Sequence, residues 1–582
     1  MSPLDRTFTP MKAALAAALL AMFAGLAGVF TLPVLDRDEA RYAQASAQML
    51  ESKDFIEIRF LDTARNKKPA GAYWAQAASV ALVSSEEARA IWAYRLPGVL
   101  GALLAAAMTA LAGARLYGAG AGFAAGALFG VSVLLGTEAG IAKTDALLAA
   151  AVAVSFYAFI AMRQAADIAD PARRRGAGRA WAALWWAGVG AGMLIKGPVA
   201  PAAAGLAVIA LCALERRIDW ARPLAFWPGP LIAAAFVLPW WIAVEIATSG
   251  GFIAGALLGD LAPKLVSGDE GHGAPPGLHL VLLPALFLPA VALLPAGLRA
   301  AVKDWRAGAD PVARSAGLAA KLCVCFAAPV WIVFELVPTK LPHYVLPAYP
   351  ALAVLAGLGF ERLRESARFW TGLGAGLLLL AVIVHAAGLR GLAEGYGGSA
   401  PGAYAVSAGL LLAGALSAVL IWRRRAAAAL AALIVTGLVW HAGARGLVAP
   451  SAQALFLSPP AAEAVAAFRT MSPGAPVITT HFEPSLAFLT GGDLTQASAE
   501  ALGLADPDPA AAAVYVIDVA RWYEGADTAS ARQARTAVLA GLEAAACARE
   551  TVEGVNYSRG QETELRILLT GCPSAGPEGD LS

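Results

Sequence analysis

Directly after a first apolar run, residues 12–32, the chain reads Leu35-Asp36-Arg37-Asp38-Glu39-Ala40-Arg41-Tyr42-Ala43. Carboxylates packed this densely beside a membrane surface suit a base or an electrostatic stabiliser, with Arg41 holding an anionic partner. The same residues would also make an acidic first helical turn, with Asp38 and Arg41 as an i, i+3 surface pair. Further on, Asn66-Lys67-Lys68-Pro69 precedes Tyr73-Trp74. Adjacent lysines there make a phosphate clamp or attract anionic lipid, and the aromatic pair suits the interface. Lys143-Thr144-Asp145 brings a further cation and carboxylate to the start of another apolar run. His272, flanked by Asp269, Glu270 and glycines, is the weak candidate ligand for a divalent cation, without any HxxxH spacing to support it. Pro338-Thr339-Lys340-Leu341-Pro342-His343-Tyr344 forms the last cluster, its prolines interrupting any continuous helix and leaving polar side chains at the surface.

These clusters must be positioned by membrane spans. A span needs about 20 apolar residues, and about thirteen such segments are expected. They lie near 12–32, 91–113, 119–137, 141–162, 181–195, 199–214, 224–246, 279–298, 317–337, 345–360, 369–388, 402–421 and 426–446. Two divisions rest on local punctuation, Lys196-Gly197-Pro198 and Arg423-Arg424-Arg425. Cytoplasmic loops retain Lys and Arg. With the N-terminus inside, alternate loops carry the cation clusters, among them Arg173-Arg174-Arg175, Arg216-Arg217 and Arg423-Arg424-Arg425. The loops 33–90, 247–278 and 338–344 then share the outer face with everything after the last span.

That tail regains charge. Residues 476–480, 513–518 and 564–569 read as short strands, and 459–470 and 527–547 as amphipathic helices. The expected division is a transmembrane region, 1–446, and an external α/β domain, 447–582. An oxidising exterior would permit a disulfide between Cys547 and Cys572, although two lone cysteines fix no geometry. Asn556-Tyr557-Ser558 matches a glycosylation sequon inside an expected hairpin and reads as structural.

Composition sets the class. Across 582 residues, 59% are hydrophobic and only 15% charged, as expected for a chain dominated by spans. A net charge of +2 is too small for a protein that binds nucleic acid through bulk charge, so no nucleic-acid partner is expected. Five cysteines in no CxxC or Cys/His pattern exclude a zinc-sulfur site.

Four of these motifs occur together and in order: Asp38-Glu39-x-Arg41-Tyr42-Ala43, Lys68-Pro69 with Tyr73-Trp74, Lys143-Thr144-Asp145, and the stretch from Pro338 to Tyr344. In this the chain resembles the aminoarabinose and protein O-mannosyl transferase-like membrane glycosyltransferases of the GT-C class. The resemblance implies a polytopic α-helical GT-C fold with a small C-terminal α/β periplasmic domain in a bacterial inner membrane. It also implies a polyprenyl-phosphate sugar donor and a lipid A, glycan or protein acceptor. Carried over, Asp38 matches the catalytic acid residue, Arg41 and Lys68 the phosphate ligands, Tyr344 a residue near the donor cavity and Asp145 a second carboxylate. The full candidate set is Asp38, Glu39 and Asp145 for catalysis, and Arg41, Tyr42, Lys67, Lys68, Tyr73, Lys143, His272, Lys340, His343 and Tyr344 for substrate. Many members carry an acidic residue where this chain has Lys67. The expected partners are the polyprenyl-phosphate sugar donor, the lipid or glycan acceptor and membrane lipids, and a divalent cation is the one cofactor left open.

Two other functions fit the same pattern. A transporter or flippase would need ionisable groups at mid-span, where only Lys196 and Glu245 come near. A noncatalytic lipid-glycan binding protein would need no base at Asp38.

Overall fold

The computed structural model describes residues 8–266, 273–306, 310–505 and 511–572. The protein is a multi-pass helical membrane protein with a small sheet domain at its C-terminal end. Among the described residues, eight helices are long and apolar enough to span, and a ninth is formed by a bent pair. Each of the expected segments contains a helix, although 12–32 is helical only as far as Leu26, and two of the others are broken in their middle. Residues 119–137 divide into Ala119–Gly130 and Val133–Ala139, bent by 58°. Residues 279–298 break after Leu278–Leu286 and resume at Leu294–Arg306. Apolar runs fix length, whereas bends are set by neighbours that a run does not reveal.

The elements that carry the site come early in the chain. They are α1 (Pro10–Leu26), α2 (Asp38–Ser52), α3 (Gly71–Val83), α4 (Ile91–Tyr117), α5 (Ala119–Gly130), α6 (Val133–Ala139), α7 (Asp145–Ala165), α8 (Pro171–Lys196), α9 (Val199–Glu215) and α10 (Pro228–Ala247). α2 and α3 are amphipathic or short and lie outside the spans, packed on the end of α4 through Ala40, Ala43, Ala77 and Tyr94.

Lipid supplies no hydrophobic drive between spans, so close packing must come from small residues. Gly297 and Gly359 show this between Leu294–Arg306 and Tyr349–Glu361: a side chain on Gly297 would collide with the Leu355 carbonyl, and one on Gly359 with that of Leu293. Arg445 is buried among α1 and α6, donating to the Ala24 carbonyl at 3.1 Å and the Gly136 carbonyl at 2.5 Å. Both carbonyls lie in the last turns of their helices, so Arg445 caps α1 and α6 together and fixes the end of α6, where Glu138 lies.

The C-terminal sheet has five strands in the order Thr495–Gln496, Val477–Thr479, Ala513–Asp518, Gln561–Thr570, Ala548–Asn556. The first three run parallel and the last two antiparallel to their neighbours. Alternation along Ala513–Asp518 sends Val514 and Val516 to one face against Val465 and Phe468, and Tyr515 and Ile517 to the other against Leu539 and Leu542. Cys547 and Cys572 form a disulfide across the ends of the last hairpin. Asn556 is buried and donates to Glu483 at 2.8 Å, a structural role.

Candidate active site

The first wall of the site is the start of α2. Arg37, the residue before the helix, has φ 62° and ψ −106°, a conformation costly for any residue with a side chain. That turn sets Asp38 on the helix N-terminus, exposed to a cavity of about 360 Å³. Arg41 and Tyr42 follow at i+3 and i+4 on the same helix face and line the same cavity. Glu39, expected with the catalytic acids, turns the other way. It is 1% exposed and forms a buried pair with Arg95 of α4 at 2.7 Å, while accepting the backbone N–H groups of Leu35 and Ala142 at 2.9 and 2.8 Å. Glu39 is therefore a structural anchor between α2, α4 and the α6–α7 link, and its expected place at the reaction centre is corrected.

The second wall is the strap leading into α3. Lys67, Lys68 and Pro69 line the cavity together with Arg65, which the sequence reading did not single out. Lys68 pairs with Asp260, and Lys264 donates to the same carboxylate at 2.6 Å. Burial pulls the Lys68 ammonium below the usual lysine range, although Asp260 pulls the other way. For Asp260, burial would raise the pKa, but the two lysines outweigh it and hold the carboxyl below its ordinary value. Tyr73 lies behind the wall and not on it. Its ring stacks on Tyr42 at 4.7 Å and its hydroxyl accepts from Arg65 Nε at 3.1 Å, so it supports Tyr42 and Arg65 without facing the cavity.

The third wall joins the α6–α7 link to the end of α8 and the stretch before Tyr349–Glu361. Lys143, Thr144, Asp145, His343 and Tyr344 all line the cavity. α8 ends at Gly197, whose φ of 64° lets the chain turn sharply and leaves Lys196 at the helix terminus. Lys196 Nζ donates to Asp145 at 2.5 Å and lies 5.8 Å from the Tyr344 ring centre. Lys143 pairs with Glu138 at 2.8 Å. Lys340 is 4% exposed and donates to the Val337 carbonyl at 2.5 Å. The extended backbone at Leu341 before the Pro342 turn separates Lys340 from His343, so its expected substrate contact is corrected. His272 lies outside the described residues.

Glu138, Asp145 and His343 have potential ligand atoms within 4.8 Å of one another. The donor set fits a divalent cation poorly, because each carboxylate already faces a lysine ammonium, Lys143 at 2.8 Å and Lys196 at 2.5 Å. A cation would have to displace both.

The sequence motifs thus converge in part. Asp38, Arg41, Tyr42, Lys67, Lys68, Lys143, Asp145, His343 and Tyr344 share one cavity. Lys196, Asp260 and Lys264 join them from helix ends and a loop where lone ionisable residues carried no motif. The rest of the lining is apolar, including Met193, Val199, Trp241, Phe252 and Leu257, so a charged rim meets a greasy wall.

Known proteins share this architecture. A family model described as dolichyl-phosphate-mannose-protein mannosyltransferase matches residues 67–242. The undecaprenyl phosphate-alpha-4-amino-4-deoxy-L-arabinose arabinosyl transferase of Erwinia tasmaniensis is 27% identical over 362 residues, 60% of this chain and 61% of that protein. The protein of the same name from Pseudomonas paraeruginosa is 28% identical over 357 residues, again 60% and 61%. The chain therefore spans about 61% of the length of these curated relatives. Among solved structures, ArnT from Cupriavidus metallidurans bound to undecaprenyl phosphate superposes with a TM-score of 0.70 at 21% identity, covering 95% of this chain and 97% of that one. The archaeal oligosaccharyltransferase AglB from Archaeoglobus fulgidus gives 0.51 at 11% identity, covering 99% and 75%. The chain is similar in sequence to the aminoarabinose transferases and has the GT-C fold of the solved one.

Proposed function

We propose that this protein is an integral membrane glycosyltransferase that moves a sugar from a polyprenyl-phosphate donor to a lipid A, glycan or protein acceptor on the periplasmic face of a bacterial inner membrane. The observation that carries this reading is the meeting of Asp38, Arg41, Lys68 and Asp145 around one cavity whose remaining wall is apolar. A polyprenyl tail must stay in hydrocarbon while its phosphate sits at the interface, and a charged rim over a greasy wall meets both needs. The named activities of the relatives support the same class of donor.

In the reaction, the bond between sugar C1 and the phosphate oxygen breaks while the acceptor oxygen bonds to C1 from the opposite side. The polyprenyl phosphate leaves with the bond's electron pair. Arg41 and Lys68 meet that developing charge, Arg41 with a planar fork matched to phosphate oxygens. Asp38 takes the proton when the acceptor is a hydroxyl; an acceptor phosphate has none to give, and Asp38 then orients it. Asp145 holds Lys196 and the edge of His343 in place beside the donor. Single displacement inverts the configuration at C1.

The periplasmic reading takes residues 33–90, 247–278 and 338–344 together with 447–582 as external and the N-terminus as cytoplasmic. The Cys547–Cys572 disulfide supports an oxidising compartment for the tail. Against a transporter, Lys196 pairs with Asp145 at the cavity and Glu245 accepts the Ile253 N–H at 3.1 Å beside it, so neither stands alone at mid-span. The test is mass spectrometry of lipid A and other envelope glycans from cells with and without the protein, repeated with Asp38→Asn. A sugar lost in both strains supports transfer. A sugar retained with Asp38→Asn refutes the proposed base.

A further inference from the structure

At the ends of α7 and α8 remote from the active site lies a second charged cavity, of about 600 Å³. The active site takes Asp145 from the start of α7 and Lys196 from the end of α8, whereas this cavity takes Met162 from the last turn of α7 and Arg174, Arg175 and Arg179 from the start of α8. At ~1.5 Å of rise per residue the two sites lie about 25 to 30 Å apart, at opposite faces of the membrane. The facing wall is the turn Asp219–Ala225, which supplies Trp220 and Arg222. A side chain at Gly178 would come within 2.9 Å of the Pro223 ring, so the glycine lets the turn close onto α8 and brings Arg222 to the other three arginines.

The acidic residues of these segments each hold an arginine that is not one of the four. Asp167 and Glu215 bind Arg163 at 3.0 and 2.9 Å, Asp170 faces Arg173 at 3.8 Å, and Asp219 accepts from Arg217 through both carboxylate oxygens at 2.9 and 2.6 Å. Asp219 also attracts Arg222, without an ion pair between them. Arg179 lies over the Phe226 ring, 5.0 Å from its centre. Arg175 and Arg179 stand one turn apart on α8, a like-charge spacing that destabilises a helix. Diffuse attraction to an anionic leaflet would be served by cations anywhere in the loop and does not require two segments to converge on one cavity. Trp220, at the floor, is 1% exposed, and its indole N–H has no acceptor among the described residues. Ile218 and Trp227, at the two ends of the turn, are 69% and 72% exposed, and Leu231 in the first turn of α10 is 55% exposed, so an apolar surface flanks the arginines.

We propose that this cavity is a lipid headgroup site, binding the phosphate of an acidic glycerophospholipid from the leaflet opposite the active site with the acyl chains along α10. Guanidinium forks match phosphate oxygens bidentately, and basic pockets at the ends of spans recognise acidic headgroups in this way. A soluble phosphate would use the arginines alone; the exposed Trp227 and Leu231 favour an occupant with chains. The residues of this site take no part in the transfer chemistry, so the binding is independent of which donor and acceptor the active site takes.

The experiment is native mass spectrometry of the full chain in detergent, titrated with phosphatidylglycerol or with phosphatidylcholine of the same acyl chains. The expected result is retention of phosphatidylglycerol at least about tenfold tighter. Arg174→Gln with Arg175→Gln, both at exposed positions, should keep the melting temperature and lose that preference. Arg222→Gln, from the facing wall, should weaken it as well. Arg423→Gln with Arg425→Gln, which removes two exposed cations elsewhere, should leave it unchanged. Glycerophosphate, the headgroup chemistry without chains, should not displace the lipid at equal concentration. Equal retention of both lipids by the native protein, or a preference that survives Arg174→Gln with Arg175→Gln, overturns the proposal. So does an equal loss in the Arg423→Gln with Arg425→Gln protein, which would reduce the effect to diffuse attraction. Displacement by glycerophosphate would assign the arginines to a soluble anion and overturn the lipid as occupant.

Discussion

The hydroxyl of Tyr557, in the C-terminal hairpin, accepts the backbone N–H of Asp36 at 2.5 Å, two residues before Asp38. Ser485 of the same domain donates its N–H to the Asp36 carboxylate at 3.1 Å, and Arg37 donates to the Ser558 carbonyl. Glu483 ties the hairpin down through Asn556 at 2.8 Å and Ser558 at 2.9 Å. The sheet domain thus grips the turn whose unfavourable φ at Arg37 aims Asp38. Tyr557→Phe removes one hydrogen bond at the edge of this grip. Transfer should fall several-fold in kcat with donor KM little changed, and the melting temperature should hold. A parallel rise in KM would place the residue in donor binding instead.

Glu39 and Asp38 are neighbours with opposite expected phenotypes. Glu39 and Arg95 are both fully buried as a pair. Removing one charge from such a pair leaves the other uncompensated at about 3 to 5 kcal/mol. Glu39→Gln should therefore lower the thermal stability of the purified protein sharply. Asp38→Asn, at an exposed position, should keep the melting temperature and lose about 10² to 10⁴ in turnover. Thermal unfolding and donor turnover measured on both variants separate the roles.

The contrast shows what the sequence could disclose. Asp38, Lys68 and Lys143 were legible because each sits in a short polar cluster at the end of an apolar run, and the run predicts which surface it reaches. Glu39 was not, since its fate depends on Arg95, 56 residues later. Lys196 reaches Asp145 across 51 residues and Lys68 reaches Asp260 across 192, so neither pairing leaves a local pattern. In the tail, Ala513–Asp518 was legible as an unbroken buried strand, whereas Ala548–Asn556 is an edge strand whose Arg549, Glu550, Thr551 and Glu553 are exposed, so it lacks the apolar run that marks a strand. The break after Leu278–Leu286 was hidden by an uninterrupted apolar composition.

The lysine partners of Asp145 and Glu138 predict metal independence. With Lys196 at 2.5 Å and Lys143 at 2.8 Å, the carboxylates are neutralised without a cation. Treatment with EDTA should leave turnover of the purified protein within about twofold. Loss of activity that manganese or magnesium restores would show that the lysines give way to a metal. Lys196→Met, by contrast, strands Asp145 and should lower activity at any metal concentration.

Lys68 sets the alkaline limit of donor binding. Burial lowers its pKa and Asp260 raises it, with burial the stronger. The ammonium therefore begins to lose its proton at a lower pH than a free lysine, whose pKa is about 10.4. Only the protonated form attracts the donor phosphate, so donor KM should rise as pH climbs through that depressed value, while kcat at saturation changes less. Lys68→Arg keeps its charge and should move the rise to higher pH. Asp260→Asn removes the attraction that Asp260 gives the ammonium and should move it lower. Steady-state KM across the alkaline range for the three proteins checks both signs. Coincident profiles would mean that another group governs the limb and that Lys68 does not hold the phosphate.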